Sequence, residues 1–83
     1  MKQFLVISPH AAGECIKALK QVYAMGYLTH FYWGCKAGDH CGYMILEADT
    51  SSEAIMVVPS FLREKARAIQ LNQFNPNEIE KLH

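Results

Sequence analysis

Two of the three cysteines, one of the four histidines and a carboxylate fall within Tyr32-Trp33-Gly34-Cys35-Lys36-Ala37-Gly38-Asp39-His40-Cys41-Gly42-Tyr43. Thiols, an imidazole and a carboxylate at this density are the makings of a site, because turns rarely need such side chains for structure. Two further donors, His10 and Cys15, lie upstream. Thiolate with imidazole suits zinc, iron or copper, and a closed zinc site needs four ligands within bonding reach. The candidate ligands for a transition metal, zinc foremost, are therefore His10, Cys15, Cys35, Asp39, His40 and Cys41. The Cys-x5-Cys spacing from 35 to 41 matches no common zinc module. The competing expectation makes Cys15 and Cys41 small buried apolar residues and Cys35 a strand-end filler.

The same segment supports two other chemistries. Gly34 and Gly42, beside Tyr32 and His40, would leave a trough for a small molecule, with Tyr32 and Trp33 packing a ring. His40, His10 or Tyr32 would then be the acid, base or orienting donor. Arg67, with Arg63 and Lys65, would draw an anionic ligand. Otherwise the glycines simply let another segment approach closely, and the basic run is a solvated face. A redox thiol needs neighbouring positive charge. Lys36 and His40 offer it to Cys35 or Cys41, and Asp39 opposes it. Cys15 has a helix start nearby and also sits on an apolar stripe.

These residues must be positioned by the elements around them. Lys2 to Ser8 reads as a strand apolar on both parities, ended by Pro9. Ala12, Cys15, Ile16, Leu19, Val22 and Tyr23 recur at helical spacing, predicting a helix from about Ala11 to Met25 with Gly26 as its stop. Gly13 weakens its first turn. Leu28 to Cys35 and His40 to Ala48 carry strand composition. A three-residue turn with Gly38 left-handed would pair Cys35 with Asp39, Gly34 with His40 and Trp33 with Cys41. That register puts Cys35 and Cys41 on one face and His40 on the other. A two-residue turn at Ala37-Gly38 would instead oppose Cys35 and His40. The position of the glycine favours the first.

Thr50-x-x-Glu53 is a capping-box pattern opening a second helix to Val58, which restarts at Pro59 and continues to Lys65. Ala66 to Phe74 reads as a last strand. Asn75-Pro76-Asn77-Glu78 then opens a terminal helix over residues 75–83. The order β-α-β-β-α-β predicts an α+β, ferredoxin-like antiparallel sheet with both helices on one face. His10, Cys15, the 35–41 hairpin and Arg63 to Arg67 would gather at one end of it. The second face, also apolar, asks for a cover, and another copy of the sheet is the simplest.

The element order, the doubly apolar sheet and the Trp33-Gly34…Gly42-Tyr43 hairpin resemble the dimeric α+β barrel superfamily over roughly Met1 to Phe74. Small members include muconolactone isomerase-like and antibiotic-biosynthesis monooxygenase-like proteins. The resemblance implies sheet-to-sheet homodimers and a pocket between sheet and helices. It fixes no chemistry, since function belongs to sites rather than folds.

Bulk properties bound the rest. At 83 residues the chain makes one domain with a thin core. Hydrophobic residues are 51% and charged ones 19%, an apolar excess that a small interior cannot absorb, which points to self-association. Net charge is zero, so the electrostatic footprint of a nucleic-acid binder is missing. No apolar run approaches a membrane span, and Phe4-Leu5-Val6-Ile7 is too short for a signal-peptide core. Three cysteines without a Cys-x-x-Cys pair argue for reduced thiols in the cytoplasm rather than a disulfide framework. The sequence thus predicts a cytoplasmic, homodimeric ligand- or metal-binding domain. The alternatives are a cofactor-free isomerase or monooxygenase-like enzyme acting on a ring substrate, and an association module without ligand.

Overall fold

A computed structural model describes residues 1–82; His83, at the end of the expected terminal helix, lies outside the described residues. Four strands, β1 (Lys2–Pro9), β2 (Tyr32–Trp33), β3 (Cys41–Ala48) and β4 (Arg67–Leu71), form one antiparallel sheet in the order β2-β3-β1-β4. The helices are α1 (Cys15–Ala24), α2 (Ser51–Ile55) and α3 (Pro76–Glu80), supplemented by short 3₁₀ turns. The chain is therefore α+β. No helix among the described residues is long and apolar enough to cross a membrane.

Parity along the strands separates the two faces of the sheet. Phe4 and Val6 of β1, with Met44 and Ala48 of β3, join Ala18 and Val22 of α1 and Ala54, Val57, Val58 and Leu62 in one buried cluster. On the opposite face Leu5, Ile7 and Tyr43 are half-buried, and Ile45 is 58% exposed. The expected stripe of α1 needs correction. Ile16 and Tyr23 are 68% and 71% exposed, because the helix docks along Ala18 and Val22, whose small side chains let it lie close to the sheet.

Local chemistry sets the element ends. The weak start at Gly13 becomes a 3₁₀ turn over Ala12–Glu14, and the α-helix proper begins at Cys15. At its other end Gly26 takes φ +85°, Gly26 N–H donates to Tyr23 C=O and Tyr27 N–H to Val22 C=O. That is the Schellman pattern, satisfying carbonyls the helix leaves open. Thr50 Oγ1 accepts from Glu53 N–H at 3.2 Å, and Asn75 Oδ1 from Glu78 N–H at 2.9 Å. Both expected caps are present.

Four expectations about extent fail, among them the last strand, which spans Arg67–Leu71 rather than reaching Phe74. β2 covers only Tyr32–Trp33, since Leu28–His30 forms a 3₁₀ turn and Phe31 turns into the core. Aromatic-rich composition there reflects packing rather than ladder bonding. α2 stops at Ile55, and the stretch after Pro59 is a 3₁₀ helix, Ser60–Lys65. The terminal helix is likewise confined to Pro76–Glu80.

The hairpin register is also corrected. Tyr32 pairs with Tyr43 and Trp33 with Gly42, one residue away from the favoured pairing. That phase is the one which opposes Cys35 and His40. Gly38 is left-handed as expected, at φ 84°, but it ends a 3₁₀ turn over Cys35–Ala37 rather than a three-residue hairpin loop.

Candidate metal centre

Strand β1 ends at Pro9, and the next residue is fastened to the hairpin loop: His10 N–H donates to His40 C=O at 2.9 Å. The His10 ring is buried, edge-on to Trp33 at 6.3 Å and to His40 at 5.9 Å between centroids. Five residues on, the 3₁₀ turn folds the chain back. Glu14 N–H donates to Ala11 C=O at 2.8 Å, while Glu14 Oε1 accepts from Ala11 N–H at 2.9 Å. This closure delivers Cys15, the first residue of α1, beside His10.

The loop after β2 is tied by its own main chain. Gly34 C=O accepts from Ala37 and Asp39 N–H at 2.9 and 3.0 Å, and Gly34 N–H donates to Cys41 C=O at 3.0 Å. Gly38 N–H closes on Cys35 C=O at 3.1 Å. A Cβ on Gly34 would stand 2.6 Å from Asp39 O, so only glycine fits there. Cys35 and His40 therefore leave a rigid loop toward the same side.

The result is a quartet. Donor atoms of His10, Cys15, Cys35 and His40 all lie within 4.8 Å of one another. His10 Nε2 is 3.1 Å from Cys15 Sγ and 3.2 Å from Cys35 Sγ; the two sulfurs are 3.7 Å apart, and Cys15 Sγ is 3.5 Å from His40 Nδ1. A tetrahedral zinc, with Zn–S of about 2.3 Å and Zn–N of about 2.0–2.1 Å, sets edges of about 3.8 Å between sulfurs and about 3.5 Å between sulfur and nitrogen. These four separations fall within about 0.4 Å of those edges, and the remaining two are no longer than 4.8 Å, so the four side chains are grouped closely enough to converge on one ion. All three cysteines are free thiols, and 3.7 Å is far beyond a disulfide bond.

Burial supports the same fit. His10 is only 8% exposed, yet its Nε2 faces sulfurs alone and its Nδ1 has no partner among the described residues. An imidazole buried against two thiols is poorly compensated, since sulfur is a weak hydrogen-bonding group. A cation at Nε2 would supply a stronger interaction there than the two thiols do. Burial, and then the neighbouring Cys15 thiol, push the Cys35 thiol above its ordinary range. Binding a metal would reverse that preference by taking the thiolate.

Asp39 and Cys41, both expected among the ligands, stand outside the quartet. Residues 39, 41 and 43 project to the side opposite His40, where Tyr43 Oη donates to Asp39 Oδ2. The hydrogen bond to Asp39 raises the phenol, and burial raises the Cys41 thiol.

The expected glycine trough is also absent. The Trp33 ring and Phe31 lie over Gly42, where a Cβ would meet Trp33 Cζ3 at 3.0 Å and Phe31 Cδ1 at 3.2 Å. Of the proposed ligand-binding residues, Trp33 packs inward, whereas Tyr32 is 80% exposed on the other face. Arg67, on β4, pairs with Ile7 of β1, at the sheet edge opposite β2. Arg63 spends its guanidinium on the carbonyls of Val58, at 2.8 Å, and Met56. A cleft of about 430 Å³ does exist, lined by Leu19, Phe31, Tyr32, Trp33, Cys35 and Lys36.

The sequence signal that separates the quartet from Asp39 and Cys41 is a mirrored spacing: His10-x4-Cys15 and Cys35-x4-His40. Each pair is one segment's contribution. Compared with known proteins, the chain matches no family model, no curated protein and no solved structure.

Proposed function

We propose that this chain is a small metal-binding domain whose His10, Cys15, Cys35 and His40 hold one zinc ion. The observation that carries the reading is the quartet itself, two sulfurs and two ring nitrogens within 4.8 Å, supplied by two segments far apart in sequence. Four protein ligands complete a tetrahedral zinc shell and leave no open position, which is the pattern of structural rather than catalytic zinc. The ion would clamp the start of α1 and the end of β1 to the hairpin loop. A chain of 83 residues with a thin core gains stability from such a clamp, because ligands that bind only the native state contribute their binding free energy to folding. Zinc binding also requires thiolates, which accords with reduced cysteines and a cytoplasmic setting. Elemental analysis of protein purified without chelator tests the reading: one zinc per chain is expected, and none in Cys15→Ser.

The strand order and the helix-covered face accord with a ferredoxin-like arrangement of the dimeric α+β barrel type. In this reading the uncovered face, with Leu5, Ile7, Tyr43, Ile45 and Ile69, packs against the same face of a second copy. An apolar sheet face left in water is costly, and a self-complementary cover removes that cost.

One observation favours a second reading, small-molecule binding beside the metal. Cys35 lines both the quartet and the cleft walled by Phe31, Tyr32 and Trp33. A ring-containing ligand held there would touch the metal's own thiolate. Retention of such a compound by wild-type protein, and its loss in Trp33→Ala, is the expected result.

A further inference from the structure

The two sulfurs of the quartet can do more than hold an ion, and their placement points to a switch. We propose that peroxide converts the Cys15 and Cys35 thiolates into a disulfide and thereby expels the metal. This rests on the zinc reading above and adds a regulation to it.

The sulfurs are 3.7 Å apart, at the spacing a tetrahedral ion imposes and about 1.7 Å beyond a covalent S–S bond. Both cysteines stand at element starts, Cys15 as the first residue of α1 and Cys35 as the first of a 3₁₀ turn, so side-chain rotation can bring the sulfurs together without breaking a helix or strand from within. Cys35 also lines the cleft with Phe31, Trp33 and Lys36, so it is the thiolate a small solute reaches. The third cysteine is not a competitor, because Cys41 projects to the opposite side with Asp39 and Tyr43.

The chemistry balances in two steps. The Cys35 thiolate attacks one peroxide oxygen, breaking the O–O bond; a sulfenic acid forms, and the departing hydroxide takes a proton to become water. The Cys15 thiolate then attacks the Cys35 sulfur, displacing hydroxide, which takes a second proton. In sum, two thiolates, one hydrogen peroxide and two protons give one disulfide and two waters. The thiolates lose two electrons and the peroxide gains them. Only His10 and His40 remain as ligands, too few to hold zinc. The disulfide joins the two segments the ion had joined, so the oxidised chain keeps its fold while losing its metal.

The test uses the zinc-loaded full chain, with zinc measured before and after graded hydrogen peroxide by a chromogenic chelator. Disulfides are mapped by non-reducing digestion and mass spectrometry. The expected result is one zinc released for each Cys15–Cys35 disulfide, unchanged in Cys41→Ser and reversed by dithiothreitol with added zinc. Zinc bound at the outset but released only with sulfinic or sulfonic acid at Cys15 or Cys35, with disulfides through Cys41, or not at all, overturns the switch and leaves the zinc reading intact. A chain carrying no zinc before oxidation overturns both.

Discussion

Cys15 Sγ and Cys35 Sγ lie 3.7 Å apart although 20 residues separate them in the chain. No covalent bond joins them, and the Cys15 S–H···Cys35 Sγ contact is a weak hydrogen bond. Cys15 is placed by the closure of the turn before α1, and Cys35 by the hydrogen bonds of Gly34 and Gly38. Two local structures, each complete in itself, thus aim at one point. His10 and His40 arrive with them, joined by a main-chain hydrogen bond of 2.9 Å.

Metal uptake will release protons. Burial raises the Cys35 thiol above its ordinary 9.0, so it is protonated near neutrality in the metal-free chain and must lose its proton to ligate. The Cys35 proton displaced in this way makes zinc affinity weaken at least about 10-fold for each pH unit lowered below the thiol range. Calorimetric titration in buffers of different ionisation enthalpy should count at least about one proton per zinc at neutral pH. A count near zero would mean that the thiols are not the ligands.

Gly34 is a structural requirement of the centre. A side chain there meets the Asp39 carbonyl at 2.6 Å, whereas one at Gly13 meets nothing within 4 Å. Gly34→Ala should therefore shift the loop that presents Cys35 and His40 and weaken zinc binding by at least about 10–100-fold, the range seen when ligand-supporting contacts are lost. Gly13→Ala should leave affinity unchanged. Competition against a chelator of known affinity distinguishes the two.

Much of this arrangement was legible in the residues. Gly26, Thr50, Asn75 and Pro76 announce element ends through local hydrogen bonding and backbone preference, and each does what its type dictates. The gathering of His10, Cys15, Cys35 and His40 also follows from topology, since the loops after β1 and β2 open at one end of the sheet. What the residues did not reveal depends on tertiary packing. Phe31 turning into the core shortens β2, and a one-residue change of register moves Cys41 to the far side of the hairpin. Side-chain period two makes every such shift a change of face. Gly38 alone favours a three-residue turn, while Gly34 and the 3₁₀ turn it anchors decide the phase.

The open sheet face is the surface the proposed dimer would use. Ile45 is 58% exposed, so Ile45→Lys keeps its ammonium in water within one chain. In a sheet-to-sheet dimer the same change buries a charge against apolar residues, costing several kcal/mol, roughly, per uncompensated ion. Sedimentation equilibrium should report a dimer for wild-type and a monomer for Ile45→Lys, both with native circular dichroism. A wild-type monomer at working concentration would remove the proposed interface.

Alkaline pH should weaken the fold through Cys41 and Tyr43. Burial raises the first above its ordinary 9.0, and the hydrogen bond to Asp39 raises the second above 10.0. The native chain thus keeps protons that the unfolded chain gives up, so stability is full below about pH 9 and falls as pH rises beyond it. Tyr43→Phe should flatten this decline. Urea midpoints between about pH 8 and about pH 11 measure it, and a midpoint rising across that interval would contradict the assignment.

The most direct test is a zinc count across single substitutions, by elemental analysis of protein purified without chelator. One zinc per chain is expected in wild-type, Asp39→Asn and Cys41→Ser, falling toward zero in Cys15→Ser and Cys35→Ser. Loss of the metal in Cys41→Ser with retention in Cys15→Ser, or a wild-type chain without zinc, would contradict the account.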